Sequence, residues 1–190
     1  MSFVAARPTG IVTRLRTFGR ERRGIAAIEF AVFLPLFLIL YLGTFEVGQA
    51  ISIKLNNSLA ARTVADLASQ YSTPIYNADM TTILGAATTV MAPYPTQAPL
   101  FSVTVSEVTV DSRGNATITW SDTFNGTARP VGQSVTLPAG MNTPGASLIW
   151  GETQYVYTPG LGYVLTGSIT LSSQIFMSPR NIPSVQRVNS

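Results

Sequence analysis

The feature that most constrains this chain is a long apolar run near its amino end. Residues 30–45, FAVFLPLFLILYLGTF, are uncharged and lie between Glu29 and Glu46, and the apolar character extends back to Ile25 with Glu29 as its one interruption. A helix of that length spans roughly 30 Å, the thickness of the hydrocarbon core of a bilayer. The run therefore predicts a single transmembrane helix over residues 25–46.

The basic residues of the chain are concentrated before that run. Six of the twelve are arginines in the first 23 residues, opposed there by Glu21 alone. The rest of the chain has six basic and eight acidic residues, a net charge of 6 − 8 = −2. Because basic flanks stay in the cytoplasm, residues 1–24 are expected to form a cytoplasmic leader, with the carboxyl-terminal domain outside. A mildly acidic domain also predicts that the protein has no nucleic-acid partner.

The composition argues against catalysis. The chain has no histidine and no cysteine, which excludes imidazole bases, thiol nucleophiles, disulfides and most zinc sites. Lys54 is its one lysine. Glu107 and Asp111 are four residues apart on a predicted strand, so they are expected on one face, solvated rather than catalytic. We expect a protein that is not an enzyme, with no cofactor, no metal and no small-molecule substrate.

A processing motif precedes the apolar run. In RRGIAAIEF, Gly24 is followed by Ile25, and Glu29 is the fifth residue counted from Ile25. Basic residues, a glycine, four apolar or small residues, then a glutamate and an aromatic resemble the cleavage site of type IV prepilins. The resemblance implies that a membrane aspartyl peptidase cuts after Gly24. The new ammonium at Ile25 would lie one helical turn from Glu29, close enough to neutralise its carboxylate.

An ordinary secretory signal peptide is the alternative interpretation of this segment. The small residues Gly48-Gln49-Ala50 would be its cleavage site, and a soluble domain would begin near Ile51. The anchored interpretation is preferred because the apolar run is long, Glu29 interrupts it, and Glu46 lies where a neutral residue is usual.

Residues 47–98 are predicted to be an amphipathic helical segment and a linker. The first helix is expected to continue to about Tyr71, before Pro74. Its periodic residues are predicted to pack on the sheet of the same domain, and a face that binds a partner is the alternative: Ile51, Leu55, Leu59, Ala60, Val64 and Ala68. Residues 77–91 predict a second helix, and a proline-rich linker follows it.

Alternating apolar and polar residues indicate strands in residues 99–180. The segments 100–110, 116–120, 146–159 and 167–177 predict about four antiparallel strands, with Ile118 and Trp120 on one face of the sheet. A sheet of that size needs a covering layer, and the continuation of the first helix can supply it. The expected fold class is α+β, with residues 181–190 as a tail.

A closer resemblance joins these features. The segment GIAAIEFAVFLPLFLIL, with Gly24, Glu29, Phe30 and Pro35, resembles the opening of the TadE/TadG-like pilus-assembly proteins, and the likeness extends more loosely over residues 100–180. It implies a minor pseudopilin of a tight-adherence (Flp) type IV pilus system, held in the bacterial inner membrane with its domain in the periplasm. The implied partners are membrane lipid, a prepilin peptidase and other pilin-like subunits. A single arginine, Arg180, replaces the Tyr- and Arg-rich finish of that family, so its role stays open.

A binding module is the remaining class. Five rings would form a platform for a sugar or a surface if they were exposed together on one face: Trp120, Trp150, Tyr155, Tyr157 and Tyr163. Aromatic residues on strands more often pack in the core or across strands, which favours the pilin-like interpretation.

Overall fold

The computed structural model describes residues 22–160 and 167–189. Most of the predicted leader, and Tyr163, lie outside the described residues. The contacts within the chain divide it into two units, Met1–Phe45 and Glu46–Ser190, called here the amino-terminal unit and the carboxyl-terminal unit.

The first helix, α1, is long and continuous in the chain. It comprises Arg22–Ser69, 48 residues, and includes Pro35. The predicted helix is confirmed, and its end differs from the expected Tyr71 by two residues. Within the described chain, α1 is the one helix long and apolar enough to cross a membrane, a property that membrane anchors and signal segments share.

The second helix, α2, comprises Asn77–Met91, as the sequence predicted. Its first turn is capped by Asp79, whose Oδ2 accepts a hydrogen bond from the backbone N–H of Tyr76 at 3.0 Å. One face of the helix is buried, and the buried residues are Met80, Ile83, Leu84, Ala87 and Met91.

The carboxyl-terminal unit contains one antiparallel sheet of five strands in the order β3-β2-β1-β4-β5. The strands are β1 (Phe101–Val110), β2 (Ala116–Phe124), β3 (Ser134–Val135), β4 (Ser147–Tyr157) and β5 (Ile169–Met177). The four predicted strands are confirmed. The two-residue β3 lies within residues 123–147, which the sequence indicated only as a loop-rich stretch.

The helices cover one face of this sheet, so the α+β fold class is confirmed. Val64 and Ala68 of α1 share a buried cluster with Phe101 and Val105 of β1. Gly151 of β4 allows the close approach of α1, because a Cβ atom there would lie 2.5 Å from the backbone oxygen of Ala61.

The prediction that Ile118 and Trp120 share a face is wrong. An irregularity between Glu107 and Val108 shifts the register, so that Glu107 pairs with Trp120 and Val108 with Ile118. The extra residue on β2 is Thr119, which turns its neighbours to opposite sides of the sheet. Trp120 therefore belongs to the core beneath the helices, whereas Ile118 belongs to a second apolar cluster.

That second cluster lies on the other face of the sheet. Leu148 and Trp150 belong to it and alternate along β4 with Ile149 and Gly151, which face the helices. Leu137, from the long connection between β3 and β4, also packs into this cluster. The long connection thus supplies part of the apolar cover that a second sheet or helix would otherwise supply.

The predicted packing of α1 is correct for only half of its periodic residues. Ala60, Val64 and Ala68 are fully buried, as expected. Ile51, Leu55 and Leu59 are instead 55%, 64% and 53% exposed, so they do not pack on the sheet of their own domain. The helix has a second apolar face that the described part of the unit leaves uncovered.

Candidate functional site

The predicted processing residues lie together near the described start of α1. Gly24, Ile25 and Glu29 are all helical and exposed, and no atom of the described residues beyond the local helix backbone lies within 4 Å of where a Cβ on Gly24 would be. The helical spacing of four residues places Ile25 and Glu29 on the same side of α1. The motif is thus sterically open on its own helix, and cleavage after Gly24 stays a prediction.

Phe30 and Pro35 follow on the same helix. Phe30 is 60% exposed, like its apolar neighbours in the amino-terminal unit. Pro35 has no N–H, so the carbonyl of Ala31 lacks its usual helical donor, yet α1 continues through this position. Such a residue is tolerated better in membrane helices than in soluble ones.

A buried polar arrangement in the carboxyl-terminal unit surrounds Glu107. Its Oε1 atom accepts hydrogen bonds from the hydroxyl groups of Ser147 at 2.6 Å and Ser184 at 2.9 Å, and from the backbone N–H of Val185 at 2.7 Å. Glu107 is fully buried, and its Oε2 has no hydrogen-bond partner among the described residues. The expectation that Glu107 is solvated is therefore wrong.

Asp111 lies in the turn that follows β1, where its carboxylate has a structural role. Its Oδ1 accepts the backbone N–H groups of Arg113 and Asn115, each at 2.8 Å. These bonds, with the side-chain amide of Asn115 first among them, lower the pKa of Asp111. The carboxylate organises the β1–β2 turn and has no catalytic partner among the described residues.

Several contacts attach the carboxyl-terminal segment to the rest of its unit. Trp120 donates from Nε1 to the carbonyl oxygen of Val185 at 2.6 Å. Arg187 donates to Asp122 at 2.8 Å and to the side chain of Asn77 at 2.7 Å, and its backbone pairs in parallel with Ile75. The segment predicted as a tail, residues 181–190, is thus joined in its described part to α2, the sheet and the loop before α2.

Arg180 also has a position that the sequence did not indicate. Its guanidinium forms an ion pair with Asp66 of α1, and its backbone N–H donates to the carbonyl of Ser69 at 2.9 Å. That carbonyl belongs to the last turn of α1, where backbone acceptors have no helical partner. Arg180 therefore caps the carboxyl end of the helix.

Four of the five rings considered for a binding platform are buried: Trp120, Trp150, Tyr155 and Tyr157 are 5–8% exposed. Trp150 stacks on Phe176 with ring centroids 5.0 Å apart, and the guanidinium of Arg129 lies 4.0 Å from the centroid of a Trp150 ring. These four residues are core and cross-strand packing, and they form no exposed platform.

Arg129 also borders a polar cleft of about 370 Å³, which includes Ser102, Thr104 and Gln154. Its guanidinium donates twice to Glu152, at 2.7 Å each, and this hydrogen bonding raises the pKa of Arg129. The described lining holds an ion pair and hydroxyl and amide groups, without an activated nucleophile. Within residues 22–160 and 167–189, no group of three or more His, Cys, Asp or Glu residues is placed to hold a metal ion.

At the start of the carboxyl-terminal unit, Glu46 is only 1% exposed. The hydroxyl of Tyr157 donates to the backbone oxygen of Glu46 at 3.2 Å. Burial, followed by the negative charge of Glu46, raises the pKa of Tyr157. Glu46 is therefore enclosed within the carboxyl-terminal unit.

Sequence reasoning missed most of these partners. Glu107 and Val185 are 78 residues apart, and Arg187 and Asp122 are 65 apart, so no local pattern links them. The one signal in the sequence for such partners was an isolated charged residue in an apolar or alternating segment, because a charge that becomes buried needs a partner.

These features define a class of protein in which one long apolar amino-terminal helix carries a small α+β unit with buried polar contacts and no evident catalytic group in its described part. Residues 24–66 match the family model described as TadE-like protein, and the chain carries a TadE-like domain there. The match lies within α1, so it does not extend to the strands of residues 100–180. No curated protein and no solved structure matches the chain.

Proposed function

We propose that this protein is a membrane-anchored, pilin-like component of tight-adherence pilus assembly, processed by a prepilin peptidase. The observation that carries the proposal is the TadE-like domain at residues 24–66, which begins at Gly24 of the processing motif. In this role the apolar part of α1 is the anchor in the inner membrane, and the α+β unit lies in the periplasm, where it meets other pilus-assembly subunits.

The proposed processing step follows from the order of residues. Cleavage between Gly24 and Ile25 removes all six leader arginines and leaves an ammonium at Ile25. Glu29 lies four residues after Ile25, directly before the apolar run, where burying an unpaired carboxylate in the membrane costs free energy. The ammonium of the same chain or of an adjacent subunit would offset that cost. Removal of the positive leader thus changes the electrostatics of the anchor.

The α+β unit supports an accessory role in assembly over a catalytic one. Its described ionisable groups are engaged mainly in structural contacts, as in the pairs Arg129–Glu152, Arg180–Asp66 and Arg187–Asp122. Because these charged side chains stabilise the fold, we expect the unit to act by binding partner proteins through its surface.

The alternative, a non-enzymatic domain released by an ordinary signal peptide cut near Ala50, is less well supported. Such a cut would detach Glu46, which is buried in the carboxyl-terminal unit and accepts the hydroxyl of Tyr157. It would also remove Ala50, which packs against the main core. A signal peptide is expected to leave the folded domain intact.

The first experiment is to determine the amino-terminal sequence and intact mass of the mature protein from host membranes. The variants are Gly24→Ala and, as a matched control, Gly85→Ala, because both glycines are helical with open space around the absent Cβ and Gly85 lies outside both candidate cleavage sites. The proposal predicts a mature start at Ile25 that is lost in Gly24→Ala and kept in Gly85→Ala. A soluble product starting near Ile51 would instead establish the signal-peptide alternative, and an uncut membrane form would refute processing.

The role in pilus assembly needs a separate test. In the host, deletion of the gene is expected to abolish or reduce surface pili, counted by electron microscopy, and attachment to a surface. Expression of the wild-type chain should restore both, whereas Gly24→Ala should not. Normal pili in the deletion strain would refute the proposed role in assembly, but would not bear on membrane anchoring or on cleavage after Gly24.

A further inference from the structure

The exposed apolar face of α1 within the carboxyl-terminal unit is a surface that no described part of the chain covers. Ile51, Leu55 and Leu59 follow one another at four-residue steps, so they form a ridge along one side of the helix. Each is more than half exposed. We call these three residues the outer ridge.

The outer ridge lies opposite the core-facing side of α1. Leu55 and the fully buried Val64 are nine residues apart, which is about two and a half helical turns. They therefore point in opposite directions. The small α+β unit cannot cover both sides of the helix at once, so the ridge needs a partner from outside the unit or remains in solvent.

Positive charge borders the ridge. Leu59 also lines a groove of about 510 Å³ between α1 and β5, together with Lys54, Ser58 and Arg62. Lys54 donates to the backbone oxygen of Ser172 and to the hydroxyl of Ser173, whereas Arg62 is exposed and has no ion pair among the described residues. An apolar ridge with an unpaired guanidinium beside it is complementary to an apolar stripe with a carboxylate beside it.

A second copy of this chain does not meet that requirement with the same surface. Residues 47–65 contain Lys54 and Arg62 and no acidic residue. The acids that bound this stretch are engaged, since Glu46 is buried and Asp66 pairs with Arg180. Two ridges placed together would bring like charges close without a carboxylate between them, which is unfavourable.

A lipid surface also fits poorly. The ridge is one residue wide, and polar side chains flank it, including Ser52, Asn56 and Ser58. A helix partner fits this shape better, since its own side chains can pack between residues spaced four apart. From Ile51 to Arg62 the surface extends about 17 Å, or three turns, enough for a partner segment of about a dozen residues.

From these observations we propose that the outer ridge and Arg62 form a docking surface for an amphipathic helix of a different protein, whose apolar stripe is flanked by a carboxylate that pairs with Arg62. The inference concerns only the carboxyl-terminal unit. It needs neither processing after Gly24 nor a role in pili, and it goes beyond both.

The test uses photo-crosslinking of the full chain in host membranes. A benzophenone amino acid replaces Ser52, which flanks the ridge, and in a second variant it replaces Val131, an apolar residue that is 72% exposed on a loop elsewhere. The expected result is an adduct with another protein from position 52 and none from position 131. Sequencing of the attached peptide should give an amphipathic segment with Asp or Glu within one turn of the crosslink.

Further variants then test the chemistry of the surface. Leu55→Asn and Arg62→Glu should each reduce the adduct from position 52 at least about tenfold, a loss typical of a central interface residue. Arg62→Lys should keep it, as should Arg113→Glu, a charge reversal at an exposed arginine in the β1–β2 turn. Arginine in place of the partner's acid should restore the adduct with Arg62→Glu. Because Leu55 and Arg62 are exposed, urea unfolding of these variants should match the wild type.

Four results would overturn the proposal. They are an adduct between two copies of this chain, an adduct with lipid, a yield from position 52 no higher than from position 131, and an adduct that Arg62→Glu leaves unchanged. Because the crosslink reports on the ridge and the amino-terminal sequence reports on processing, failure of one is distinguishable from failure of the other.

Discussion

The buried Glu107 gives the sharpest test of how the carboxyl-terminal unit is held together. Its Oε1 atom receives three hydrogen bonds, two from serine hydroxyls and one from the backbone N–H of Val185. In Glu107→Ala all three donors lose their acceptor. At about 1 kcal/mol for each bond, with a further penalty for the N–H of Val185, which cannot turn toward another acceptor, we expect a loss of about 3 to 5 kcal/mol in the free energy of unfolding.

Glu107→Gln is the matched control. The amide oxygen can accept the same three hydrogen bonds, and the amide nitrogen takes the place of Oε2, which has no partner among the described residues. The new N–H₂ group would itself be buried without an acceptor, so a loss of about 1 to 2 kcal/mol is expected. The predicted difference between the two variants is therefore at least about 1 kcal/mol.

Urea unfolding of the full chain in detergent micelles measures these losses. Trp120 and Trp150 both lie in the carboxyl-terminal unit, so their fluorescence reports on that unit. Trp120 is also bonded to Val185, which makes it sensitive to release of the carboxyl-terminal segment. If the alanine variant unfolds at the same urea concentration as the glutamine variant, the three hydrogen bonds do not stabilise the unit and the reasoning is refuted.

Three further outcomes are expected from the same assay. Gly151→Ala should destabilise the unit by about 1 to 3 kcal/mol, because the new Cβ would collide with the backbone of Ala61. Gly85→Ala, with open space in α2, should stabilise it by about 0.5 to 1 kcal/mol. Burial raises the pKa of Tyr157 above its unfolded value of about 10, so its contribution is complete below about pH 10 and is lost as the pH rises through the folded value. The urea midpoint should therefore fall above about pH 10, and less so in Tyr157→Phe.

Each of these outcomes has a contrary result. If Gly151→Ala were as stable as Gly85→Ala, α1 would be able to move away from β4 without loss of stability. A Tyr157→Phe variant with the same alkaline loss as the wild type would assign that loss to other groups. Tyr155 is the first of these to examine, since burial raises its pKa as well.

Local patterns in the sequence predicted the elements of this fold well. The apolar run and its continuation predicted α1, the segment 77–91 predicted α2, and alternation predicted the four long strands. These elements depend on the spacing of apolar and polar residues along the chain, which can be seen directly in the sequence. The candidate processing site at Gly24, Ile25 and Glu29 was proposed from the same kind of local pattern, and cleavage there stays a prediction.

Local patterns failed where a single residue changes the geometry. Alternation predicted that Ile118 and Trp120 share a face, but the irregularity opposite Glu107 places them on opposite faces. Nothing in the alternation of β2 indicates the bulge, since it depends on how β1 and β2 pair. The same shift brings Trp120 opposite Glu107 and so helps to form the contact with the carboxyl-terminal segment.

The amino-acid sequence by itself determined the helices, the four long strands and the α+β class, because each depends on residues close together in the chain. Only the tertiary structure decided that Glu107 is buried against Val185, that Arg187 joins three parts of the unit, and that the outer ridge is uncovered by the described chain. Those results depend on which surfaces meet, and a small sheet can bury one side of a long helix but not both. The apolar periodicity of α1 is the same on its two sides, and packing alone separates the core side from the exposed side.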